Sequence, residues 1–157
     1  MEIQISDEGW VFDDMDQVVV ELLRILPACA APDDDAARKR IFSAPTGGAD
    51  AAADADWREY VEPELRELFK THTDLVAADL SAMEEKDETF TLRIPAAHGR
   101  AWIHALNQAR LALGARHDVT EDDTNGRRPH SGAKGFAIMQ IDFYGMLIAM
   151  LLGNTEL

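Results

Sequence analysis

The chain has 157 residues, 46% of them hydrophobic, with 29 acidic against 15 basic side chains and a formal net charge of −14. That length suits one domain able to bury most of its unfolded surface, and the composition excludes general disorder. The charge argues against a nucleic-acid partner, because phosphates repel an acidic surface and the longest basic run is Arg38-Lys39-Arg40.

Glu2 to Ser6 alternates polar and apolar, as a half-buried strand does. Asp7-Glu8-Gly9 is a turn signal, and Trp10-Val11-Phe12 returns as a second short strand. Asp13 or Asp14 then offers an N-cap for a helix through Val18, Leu22, Leu23, Ile25 and Leu26, stopped by Pro27 and Pro32. The following stretch is rich in alanine and carries Asp33-Asp34-Asp35, Pro45 and Gly47-Gly48. Ala36 to Phe42 reads as a short helix, and about 43–56 as an exposed, mobile loop that buries too little to offset its ordering entropy.

From Trp57 to Met83 the apolar spacing is helical, with Pro63 either starting the main helix or kinking a longer one. Glu84 to Glu88 reads as a charged break. Thr89 to Ile94 alternates again as a third strand, closed by Pro95. Ala101 to Val119 is a strong helix. At 100° per residue, Trp102, Leu106, Ala109 and Leu113 fall within about 60° of each other, with Arg110 and then Asn107 on the shoulder of that stripe. A polar group there needs a partner, so Arg110 is expected to be at least half buried and bonded to a carboxylate or to main-chain carbonyls.

A polar loop over about 118–134 leads to an apolar run from Phe136 to Gly153, interrupted only by Gln140 and Asp142. The run is close to the length that crosses a bilayer, but Asp142 near its centre would cost about 2.5–3.5 kcal/mol there. A helix enclosed within a bundle or a homodimer explains it without that cost, so no membrane association is expected. The expected architecture is a single domain over 1–157, α+β and mainly α. It has a four-helix core and a small antiparallel sheet of two or three short strands.

No signature of a reaction stands out. Cys29 is the only cysteine, which rules out an intramolecular disulfide and a cysteine metal cluster. The start MEIQISDEGW lacks the basic residues and apolar run of a signal peptide, so a cytoplasmic location is expected. The histidines at 72, 98, 104, 117 and 130 show no metal-ligand spacing, and Gly132-Ala133-Lys134-Gly135 lacks the other positions of a phosphate loop. Glu62, Glu64, Glu67 and Asp79 have the charge pattern of a solvated helix face. Asn107 with Arg110, at i and i+3, is the strongest polar constellation. No cofactor and no metal site is expected.

Several pieces together resemble a known bacterial family. They are Trp102, Ala105-Leu106-Asn107, Ala109-Arg110-Leu111, Leu113-Gly114 and Arg116, followed by the acidic turn Glu121-Asp122-Asp123. These resemble the signature W-L-x-x-L-N-D-L-R-L-x-L-G-x-R-L of domain of unknown function number two thousand and seventeen. Asp142 and Tyr144 are similar to the aspartate and tyrosine near the start of that family's last helix. Arg40-Ile41-Phe42 with Pro45, and Trp57-Arg58, resemble two further pieces. Gln108 stands where the family usually has aspartate, and His117 replaces an apolar residue. The resemblance brings no catalytic residues. Its members are often encoded beside the adaptor of the Clp protease, which implies a link to regulated proteolysis. The expectation is a non-enzymatic domain acting by protein contact, as a homodimer or accessory protein. Asn107, Arg110, Arg116 and Tyr144 are its candidate contacts. The alternative is a small-molecule or anion-binding regulator anchored by Arg110 and Arg116.

Overall fold

The computed structural model describes residues 1–126 and 130–153. Four antiparallel strands form one sheet in the order β1-β2-β4-β3, with β1 at Glu2–Ser6, β2 at Gly9–Met15, β3 at Glu84–Lys86 and β4 at Thr89–Pro95. The sheet thus has four strands rather than two or three. In β2, Trp10, Phe12 and Met15 face inward. In β4, Phe90, Leu92 and Ile94 do the same. The odd spacing from Phe12 to Met15 is a register shift against β4, where Asp14 takes φ 51°. That bulge returns Met15 to the core and aims the chain into the first helix.

Two tight turns build the hairpins. β1 meets β2 through Ser6 opposite Gly9, and Gly9 takes φ 134°. A Cβ on Gly9 would lie 2.1 Å from the Ile94 carbonyl oxygen, so no other residue fits. β3 meets β4 through Lys86 opposite Thr89, leaving Asp87 and Glu88 as a two-residue loop with φ of 51° and 65°. Both positive angles make this a type I′ turn, the geometry that follows strand twist. The expected charged break at Glu84 to Glu88 is therefore a strand and a turn. It escaped the pattern because all three β3 residues are exposed and charged.

Helix α1 (Gln17–Arg24) is capped by Asp16, whose carboxylate accepts from Val19 N at 2.9 Å. The expected caps Asp13 and Asp14 are instead spent in the β2 bulge. Pro27 does not stop a helix but opens α2 (Leu26–Ala30), where its missing N–H costs nothing. Helix α3 (Asp35–Ile41) is capped by Asp34.

The expected loop over 43–56 is largely structured. Residues Ala51–Tyr60 form α4, capped by Asp50. Asp54, only 4% exposed, accepts from Thr46 N at 3.0 Å, Thr46 Oγ1 at 2.8 Å and Gly48 N at 2.8 Å. One buried carboxylate therefore pins the preceding turns, a tie that composition alone does not reveal.

Helix α5 (Glu62–Ser81) carries Pro63 in its first turn. A short 3₁₀ turn (Ala96–His98) leads into α6 (Gly99–Arg116). The polar loop expected over 118–134 contains α7 (Glu121–Thr124), held by a capping box between Thr120 and Asp123, and its residues 127–129 lie outside the described residues. Helix α8 runs from Gly132 to Leu152.

One continuous core joins the inner face of the sheet to α1, α2, α5, α6 and α8, five helices rather than four. Trp102, Tyr144, Met15, Leu26 and Leu106 are among its largest fully enclosed side chains, each worth about 1.5–3 kcal/mol of burial.

Candidate functional site

Helix α6 lies at the centre and is buried on two sides. The expected stripe of Trp102, Leu106, Ala109 and Leu113 faces the core. A second stripe of Ala101, Ala105, Gln108 and Ala112 is buried as well. Small residues on that side let α2 and α3 approach closely. Gln108 satisfies its buried amide by donating from Nε2 to the Ala30 carbonyl at 2.6 Å. Asn107 is exposed, so the polar residue tied into the interior is its neighbour. The Trp102 stripe alone does not point to this residue, because Gln108 lies about 120° around the helix from Trp102.

The other nominated residues separate into different roles. Arg110 is half-buried and donates from Nε to the Ile141 carbonyl at 3.2 Å. Its guanidinium lies over Gly145, where a Cβ would sit 3.4 Å from Cζ. Arg110 thus braces α6 against α8 through main chain, as one branch of the sequence expectation had it. Arg116 donates from Nε to the Asp34 carboxylate, from one terminal nitrogen to Cys29 O at 2.7 Å and from the other to Ala31 O. Its donors are spent on the end of α2 and the cap of α3. Tyr144 is fully buried and donates to Leu22 O at 2.8 Å. Burial, with the Cys29 thiol beside it, pushes its phenol well above the ordinary range. Arg116 and Tyr144 are internal ties, Arg110 a brace, and Asn107 alone is exposed. The four do not meet on one surface.

Asp79, expected on a solvated helix face, instead lies at a polar centre that joins α5 to the start of α6. The Asp79 carboxylate, 11% exposed, accepts from Trp102 Nε1 at 2.8 Å and lies 2.9 Å from His98 Nδ1. A carboxylate and imidazole in this relation form the orienting half of an acid–base device. Among the described residues no hydroxyl or thiol is bonded to His98, and the pair ties the sheet's exit to the helices. Farther along the same helix pair, His72 of α5 stacks on His104 of α6, ring centroids 4.8 Å apart. Burial, with His104 and Arg100 nearby, holds the His72 imidazole below its ordinary range. Among the described residues no group of three or more His, Cys, Asp or Glu is placed to hold a metal ion.

The feature least explained by folding is the outer side of α8. Its inner side packs Ala137, Gln140, Ile141, Tyr144, Leu147 and Leu151 on the core. The opposite side carries Phe136 (48% exposed), Met139 (44%) and Met146 (40%), with Phe143 half-buried beside them. Asp142 is the one charge on that stretch. Helix α8 is therefore not enclosed on all sides. Among the described residues it is the one helix long and apolar enough to cross a membrane, with 33% of that window buried.

A family model described as "Domain of unknown function (DUF2017)" matches residues 7–154, and the chain belongs to that family. No curated protein and no solved structure matches it.

Proposed function

We propose that this DUF2017 member is a non-enzymatic, cytoplasmic interaction domain that pairs with a second copy of itself through the outer side of α8. The observation that carries this reading is the exposed Phe and Met stripe along a helix about 30 Å long. Flexible thioethers and aromatic rings adapt to a facing surface and are favoured in interface cores. Electrostatics favours the same face. Two chains of charge −14 repel each other over most of their surface, and a self-contact needs a stretch nearly free of carboxylates. The α8 stripe carries only Asp142. A two-fold contact is the commonest closed solution for a soluble chain.

An accessory role in regulated proteolysis fits the same reading, because such a role needs a recognition surface rather than a reaction centre. The reading is tested by light scattering on the unaltered chain and on a Met139→Glu/Met146→Glu variant. The dimer mass should appear for the first and the monomer mass for the second, with helicity unchanged. A monomer mass for the unaltered chain at micromolar concentration overturns the self-pairing. Uptake of the unaltered chain by lipid vesicles assigns the stripe to a membrane surface instead.

A further inference from the structure

We propose a second site, independent of α8: the cleft between α3, α4 and α5 binds a phosphate-bearing small molecule. Arg38 and Lys39 from α3, Arg58 from α4 and Arg66 from α5 converge on a cavity of about 420 Å³ walled by Phe42, with Glu62 as the one carboxylate lining it. Four cations around one cleft stand out in a chain where acidic residues outnumber basic ones 29 to 15. Partners for them are not scarce. Yet among the described residues only Arg38 and Arg66 form ion pairs, with Asp35 and Glu62 of their own helices. Among the described residues, Lys39 and Arg58 have no carboxylate within ion-pair distance.

One of the cations is held in advance. Arg66 Cζ lies 4.4 Å above the Phe42 ring, and that ring also stacks on Phe69 with centroids 5.5 Å apart. A guanidinium fixed this way loses little freedom on taking a ligand. The Phe42 ring is already engaged by Arg66 and Phe69, and recognition in the cleft rests on the four cations that line it. Three guanidinium forks with an ammonium suit the tetrahedral, multiply charged oxygens of phosphate better than a planar carboxylate. Arg66 also borders an adjoining cavity of about 350 Å³ lined by Thr73 and the buried Gln108. That space can take the uncharged part of the molecule, and its size is in the range of small-ligand pockets.

The probes are inorganic pyrophosphate and citrate, titrated calorimetrically at constant ionic strength. Pyrophosphate should bind saturably, one per chain, in the millimolar range or tighter, and more tightly than citrate. Lys39→Glu/Arg58→Glu should weaken it by roughly tenfold or more. Both residues are exposed, and an unchanged unfolding midpoint in the variant confirms that its core is intact. Arg24→Glu, on α1 and outside the cleft, should bind pyrophosphate as the unaltered chain does. Absence of saturable heat, or equal affinity in the cleft variant, overturns the site. Citrate binding as tightly as pyrophosphate overturns the phosphate assignment.

Discussion

Replacing Arg116 by alanine should destabilise the chain without touching any exposed surface used for contact. Three acceptors lose their donor at once: the Asp34 carboxylate, Cys29 O and Ala31 O. Their net worth differs. Asp34 is 43% exposed in its side chain, so water replaces the arginine there and that pair falls near the surface value of about 0–1 kcal/mol. The two carbonyls lie at the end of α2, where helix geometry supplies no donor of its own, and a cationic donor is worth about 1.5–3 kcal/mol. With partial rehydration, roughly 2–4 kcal/mol is expected for the variant. For a chain of this length each kcal/mol lowers Tm by about 2–4 °C, so a fall of roughly 5–15 °C should be seen. Urea unfolding at constant m gives the free energy directly. Asp34→Ala should also remove the α3 cap, and the double variant should lose less than the two singles together, because the sites share one bond. A loss below about 0.5 kcal/mol for Arg116→Ala would refute the clamp and return Arg116 to the list of ligand anchors.

Gly9→Ala should cost about 3 kcal/mol or more, since its methyl group would overlap the Ile94 carbonyl oxygen at a backbone angle that favours glycine; chemical denaturation checks it. Glu88→Gly should do the opposite, raising stability by about 0.5–1 kcal/mol in the same assay, because glycine adopts the turn's positive φ without strain. The depressed His72 imidazole gives a pH signature. Its contribution is fully present above the ordinary histidine value of 6.5 and is lost as pH falls below it, where the unfolded chain takes the proton first. Thermal unfolding across that window should therefore show a decline that His72→Gln flattens.

The parts legible in the sequence are those where one element carries its own pattern. Phe90, Leu92 and Ile94 alternate into the core as read, and the Trp102 stripe of α6 faces where a helical period places it. The failures have specific causes. β3 offers no apolar residue to count, and its evidence is the twist-compatible turn at Asp87-Glu88, whose residue types are not the usual ones. The first six residues of α4 are alanines and aspartates with little to bury, and the helix is fixed by Asp54 reaching back to Thr46 and Gly48. The apolar stripe of α6 points to Asn107 on its shoulder and not to Gln108, because the second buried side, under α2 and α3, is made of small alanines that carry little signal. The basic cleft was invisible for a different reason. Arg38, Arg58 and Arg66 are separated in sequence and meet only after three helices pack. The family pattern points to Tyr144 as a contact, and the fold uses it as a tie to Leu22.

The self-pairing of α8 can be tested most directly by cysteine trapping. In a Cys29→Ser background, single cysteines at Met139, Asp142 and Met146 sit on successive turns of the outer side of α8. A cysteine at Asp56 of α4 serves as an exposed control. Two copies related by a two-fold through that face bring at least one α8 position within disulfide reach of its counterpart. Mild oxidation should then convert that variant to a covalent dimer of twice the 17.4 kDa chain mass while the Asp56 variant stays monomeric. Equal, slow cross-linking at all four positions would contradict the pairing and leave the Phe and Met stripe to another partner.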